Sequence, residues 1–424
     1  MCKRLQSEEI EEVVSIVSRP SDEEIALPCP VNYEDKINIK LTPFSKKESN
    51  LITTLPPATK IYTLFTEDTT YNADSVEWCP HAPYQHLFVC ANYYLYKGEN
   101  SKESHERLGR IILYSMSPEK GLSILQKIDT AGILDQKWCH IKIRDTILLG
   151  VTTAGGALNI YRLQEEDLQL ELVFSHEISP EKGQDCLLLS LDWSTGKINS
   201  NEPYIICSDS LGQVHRFKLL KNQLTLARTW KAHEFEAWIA AFYYWECNVF
   251  FTGGDDSVLL MFDERMGMTP VAKNKRHGAG VTCIHSNSEK EYTIATGSYD
   301  SYLRLWDIRN MKCPKGEVEM PGTLWRVKWD PFTKDLLLVA CMVGGVHVVN
   351  TIDDDFKIVE SYYEHKSIAY GADWCYLPEE EVKQYPYAGN RIIASCSFYD
   401  NLLCVSRACL CPYCFCYANC MHAK

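Results

Sequence analysis

Several things are missing from this chain, and each absence removes a class of function. There is no surplus of basic residues: 43 Lys and Arg stand against 56 Asp and Glu, for a net charge of -13. A nucleic-acid surface needs the opposite balance, whereas a cationic or basic protein partner stays open. The opening stretch MCKRLQSEEIEEVV holds no uninterrupted apolar segment, so no secretory signal is expected. The longest mostly apolar run, Leu336 to Val349, is too short and too rich in glycine to span a bilayer. A soluble, cytoplasmic protein is the expectation. Catalytic signatures are missing as well. No G-x-S-x-G, H-E-x-x-H or G-x-G-x-x-G occurs, and Ser194-Thr195-Gly196-Lys197 has the wrong order for a phosphate loop.

What is present is a core-forming composition, with 46% hydrophobic residues, and an internal repeat. Alternating apolar runs end on Trp78, Trp138, Trp193, Phe242, Ile284, Trp329 and Trp374, at spacings of 60, 55, 49, 42, 45 and 45 residues. The last five are each followed by a second apolar run broken by Gly, Ser or Asp, as in 251–262 and 295–306. Those are hairpin features, and the late period fits four-stranded propeller blades. The fifth unit carries His277, Thr296, Asp300 and Trp306-Asp307, the set that ties loop to strand in a WD-repeat blade. The fourth keeps His233, Thr252 and Asp256 but has Phe262 where Trp would sit. The fold expected is all-β, a seven-bladed WD40-type β-propeller over 58–407, closed by pairing Ile61–Phe65 with the last unit. Residues 1–57 read as a flexible acidic extension and 408–424 as an unstructured Cys-rich tail.

Nineteen cysteines first suggest a disulfide scaffold. Thirteen are scattered from Cys2 to Cys396, which reads as reduced, buried small hydrophobes. Six crowd between Cys404 and Cys420. Cys411-Pro412-Tyr413-Cys414 is a C-x-x-C, but zinc needs two well-separated pairs and the spacing here is compressed, so no metal is expected.

The residue four before each anchor falls at the rim of the central channel. Round the ring these are Asp74, Leu134, Leu189, Trp238, Gly280, Trp325 and Tyr370. Trp238, Trp325 and Tyr370 beside the acids Asp74, Asp135, Glu234 and Glu236 would suit a quaternary ammonium, through cation–π attraction. The same aromatics would equally cap the blade cores. His277 suits a structural role within its blade, while His233 and His365 fit either role.

The strings ADSVEWCP (73–80), ILDQKWCHI (133–141), WKAHEFEAWIAAF (230–242), FTGGDDS (251–257), LWRVKWDPF (324–332) and YGADWCY (370–376) closely resemble one WD-repeat family. It is the diphthine methyl ester hydrolase family of diphthamide synthesis, called diphthine methyltransferase in older naming. The likeness runs from about Ala73 to Leu403. It departs at the C-terminal end, where the family has a Trp-containing strand and this chain reads Cys404-Val405-Ser406. The resemblance implies hydrolysis of the methyl ester of methylated diphthine, a modified histidine on elongation factor 2 that also carries a trimethylammonium group. It implies a monomer acting without cofactor, nucleic acid or membrane. Trp238, Trp325, Tyr370, Asp74 and Asp135 then become candidate substrate-binding residues. Ester hydrolysis needs an activated water and a stabilised oxyanion. The expected general base is His233, oriented by Glu236 or Asp255, with no covalent intermediate. A non-enzymatic scaffold for protein–protein interaction is the competing reading.

Overall fold

In the computed structural model, residues 61–96, 106–178, 185–352 and 356–410 are described. The flexible extension expected over 1–57 and the unstructured tail expected beyond Leu410 lie outside them. Seven antiparallel four-stranded sheets follow one another along the chain. Blade 1 comprises Asn72–Trp78, Leu87–Tyr96, Glu106–Ser117 and Gly121–Ala131, and the next five repeat its up-and-down order. Blade 7 takes Ala369–Trp374, Arg391–Ser397 and Leu402–Ala408 from the end of the chain and Ile61–Asp68 from its start. The ring closes as the alternation of Ile61–Phe65 predicted. It runs slightly past the expected boundary at 407, because Ala408 pairs with both Ile61 and Arg391 and Leu410 packs on the core between blades 6 and 7.

A four-stranded sheet with two apolar faces cannot stand alone, so neighbouring blades bury them against each other. Seven apolar clusters result, one between each pair of adjacent blades. All seven anchor residues lie on the innermost strands and are buried. Four of them also stitch blade to blade through the indole N–H. Trp138 donates to the Glu77 carbonyl (3.1 Å), Trp193 to Lys137 (3.0 Å), Trp329 to His285 (3.1 Å) and Trp374 to Lys328 (3.0 Å). An innermost strand has one backbone edge facing the channel, and such an edge needs partners. Carboxylates supply some: Asp135 accepts from Leu191 N–H, Asp192 from Phe242 N–H and Asp373 from Trp78 N–H, at 2.7 to 3.0 Å.

Of the thirteen described cysteines all but Cys247 and Cys313 are buried, and none is paired. No helix among the described residues is long and apolar enough to cross a membrane.

Candidate functional site

The mouth of the channel is built where the innermost strands begin. Pairing with the second strand skips one residue in five blades: Asp74 in blade 1, Leu134 in blade 2, Leu189 in blade 3, Thr282 in blade 5 and Tyr370 in blade 7. A bulge leaves its extra residue out of the ladder and re-aims its side chain. In blades 4 and 6 the rim residues Trp238 and Trp325 stand just before the strands Ile239–Phe242 and Arg326–Trp329. These features bring Trp238, Trp325 and Tyr370 together. Trp238 and Trp325 meet edge to face at 5.6 Å, and Trp325 stacks on Tyr370 at 4.8 Å.

Sequence reasoning missed two further members. Tyr299, from the hairpin turn of blade 5, lies 6.1 Å from both tryptophans. Phe398, from the equivalent turn of blade 7, lies 5.2 Å from Tyr370. The signal for Tyr299 was Gly280, the rim residue of its own blade. A Cβ there would come within 2.9 Å of Asp255 Oδ1 and 3.1 Å of the Tyr299 ring, so the missing side chain makes room for the tyrosine. The rings touch one another and roof the channel, Trp325 being half-buried and Trp238 and Tyr370 buried. Burial pushes the Tyr299 and Tyr370 hydroxyls well above their usual range, so both stay neutral.

The expected acids separate into two groups. Asp255 belongs to the roof, accepting from Trp238 Nε1 at 3.0 Å. Its charge, with that of Glu236, helps to hold the Tyr299 proton. Asp74 lies at the rim, 3% exposed, and its Oδ1 has no hydrogen-bond partner. Burial pushes its carboxyl up to about 8, opposed by the nearby Arg326 guanidinium and reinforced by Asp135. Asp135 corrects the sequence reading. It is fully buried one residue below the bulge, where it accepts from Arg326 Nη1 (2.9 Å) and Leu191 N–H (3.0 Å) and lies 3.7 Å from Lys137. Burial opposes its charge, but Arg326 and Lys137 outweigh that and hold its pKa below the ordinary value. It is a structural acid with no free face toward the mouth.

His233 is the second correction. Its side chain is buried, Nδ1 pairs with Asp256 Oδ1 at 2.9 Å and Nε2 with Thr252 Oγ1 at 2.8 Å. Both ring nitrogens are therefore engaged inside blade 4, and the orienting acid is Asp256, not Glu236 or Asp255. A general base needs a nitrogen within reach of its proton. His277 does the same work in blade 5, pairing with Thr296 (3.0 Å), which also accepts from Trp306 Nε1 (2.8 Å). His365 pairs with Ser395 at 2.7 Å in blade 7. All three histidines are ties within blades. A separate cleft lined by His86, Met116, Leu377 and Tyr385 lies at the opposite end of the ring and lacks any such aromatic cluster.

The arrangement amounts to a closed ring of sheets, an aromatic roof over one end of its channel, and a buried acid with an unbonded oxygen at the same rim. A model of the WD domain, G-beta repeat, matches residues 268–307. Across most of its length the chain is similar to curated proteins called diphthine methyltransferase. The mouse protein is 41% identical, over 73% of this chain and 69% of its own length; the human one is 39% identical, over 77% of each. A Dictyostelium discoideum homologue is 37% identical over 78% of this chain and 95% of its own. A chain from a crystal structure of the mitotic checkpoint complex superposes with a TM-score of 0.61 over 88% of this chain and all of its own, at 14% identity. That likeness is one of fold alone.

Proposed function

Since the chain belongs to the diphthine methyltransferase family, we propose that it hydrolyses the methyl ester of methylated diphthine on elongation factor 2. The products are diphthine and methanol, a step of diphthamide biosynthesis. The enzyme works as a monomer in the cytoplasm, without cofactor, metal, nucleic acid or membrane.

One observation carries this reading: Trp238, Tyr299, Trp325 and Tyr370 converge over the channel mouth. Ring faces grouped this way attract a permanent cation with roughly 1–2 kcal/mol, and the modified histidine carries a trimethylammonium group. Trp325 and Tyr299 are the half-buried rings of the four, the ones an entering cation meets. Asp255 and Glu236 add negative charge at the edge of the roof. A narrow mouth suits a side chain presented at the tip of a protein loop, and the same side chain brings its ester to the acid at the rim. Hydrolysis fits a mouth whose grouped rings suit a substrate side chain that is already methylated.

The test is to incubate the purified full chain with elongation factor 2 bearing methylated diphthine, with no methyl donor added, and to weigh the factor. A loss equal to one CH2 is expected. Binding with unchanged mass would replace this reading with that of a scaffold. A gain of one CH2 that depends on an added methyl donor would replace it with methyl transfer.

A further inference from the structure

Asp135, Asp192 and Asp373 each accept a backbone N–H from the next blade's innermost strand. Asp74 does not share that task. It is the one carboxylic acid among the bulged rim residues, and its Oδ1 is buried with no hydrogen-bond partner among the described residues. A polar atom in that position carries a desolvation cost that no structural bond offsets. Unsatisfied buried acids of this kind collect at functional sites. Around Asp74 stand Arg326 from blade 6, Asp135 from blade 2, and Tyr370 and Cys396 from blade 7. The Arg326 guanidinium is held by Asp135 through Nη1, and among the described residues it makes no other hydrogen bond.

We propose that Asp74 is the general base of the ester hydrolysis, with Arg326 stabilising the oxyanion and Asp135 positioning Arg326; this rests on the function proposed above. The ester carbonyl enters at the rim beside the aromatic roof. The Asp74 carboxylate takes a proton from water, whose oxygen bonds to the carbonyl carbon, and the carbonyl electron pair moves to oxygen opposite the Arg326 guanidinium. The tetrahedral intermediate collapses with cleavage of the C–OCH3 bond. Asp74 returns its proton to the departing methoxide, giving methanol, and the product acid ionises. Atoms and charge balance without any co-reactant.

The pH dependence follows from the surroundings. The carboxyl is pushed up to about 8, Tyr370 and Cys396 are uncharged because burial raises both, and Arg326 and Asp135 are paired. A base with this pKa is strong, and it is present as the carboxylate in only a minor fraction at neutral pH. A bound trimethylammonium stabilises that carboxylate, so the pKa seen in kcat falls below the one seen in kcat/KM.

The experiment measures methanol release from the methyl-esterified elongation factor by the full chain and its Asp74→Asn variant, from pH 6 to 9.5. Wild type is expected to gain kcat/KM with pH up to a plateau above about 8. Asp74→Asn is expected to lose about 100-fold or more in kcat, with KM changed little and no pH dependence in this range. An active wild type with a flat profile, or a folded Asp74→Asn variant within about threefold of wild-type kcat, would overturn the assignment. Should the variant unfold at assay temperature, the wild-type profile decides alone. If wild type releases no methanol at any pH, it is the proposed function that fails, and the assignment falls with it.

Discussion

Asp74 joins stability and activity in one side chain. Its folded pKa of about 8 lies above the ordinary 3.8, so between those values the native state holds a proton that the unfolded chain has released. Stability therefore falls as pH rises through this window, and the whole contribution is lost above about 8. Asp74→Asn, neutral at every pH, is expected to raise the melting temperature by an amount that grows from pH 5 to pH 9, as calorimetry would show. An unchanged or lowered melting temperature at pH 9 would mean that the carboxylate is paired. Trp325→Leu should act differently. With the stacked ring gone, KM should rise about tenfold while kcat holds, which steady-state kinetics resolves. Of these residues the sequence exposed the aromatics, because an offset counted from the Trp anchors finds the rim. It misplaced Asp135, since one bulged residue separates an acid at the mouth from an acid inside the wall. His233 misled for another reason: the repeat already offered it Thr252 and Asp256 as partners, which is the tie the structure holds, but the crowded HEFEAW segment suggested a base as well.

At the scale of an element, a blade is held by its internal polar tie and by the seam to its neighbour. In blade 5 Thr296 Oγ1 serves both His277 Nε2 and Trp306 Nε1. Thr296→Val keeps the shape and leaves two buried donors unsatisfied, each worth ~1–3 kcal/mol. The expected outcome is a lower midpoint in urea unfolding by at least ~2 kcal/mol, with turnover unaffected well below the transition, since no residue of this tie reaches the mouth. The strands themselves were legible because each anchor ends an alternating run. The bulges were not, because a single extra residue leaves the apolar pattern on either side intact. Tyr299 escaped for a related reason, coming from a hairpin turn and not from the rim position of its blade.

For the whole molecule, ring closure and charge matter most. Pairing Ile61–Asp68 with Leu402–Ala408 makes the start of the chain the outer strand of the last blade and so fastens the ring shut, and the alternation in Ile61–Phe65 was enough to foresee it. The chain carries -13 overall, and a cationic side chain approaching such a surface is drawn in by a field that salt screens. KM should accordingly rise severalfold between low and moderately high salt with little change in kcat; a KM indifferent to salt would assign recognition to the aromatic contacts alone. The central claim is that the roof formed by Trp238, Tyr299, Trp325 and Tyr370 selects a permanent positive charge on an esterified side chain. The most direct measurement compares kcat/KM for two methyl-ester substrates that differ only in a trimethylammonium group against its uncharged isostere, with carbon in place of nitrogen. The cationic substrate is predicted to be preferred by about tenfold or more; equal values for the two would contradict it.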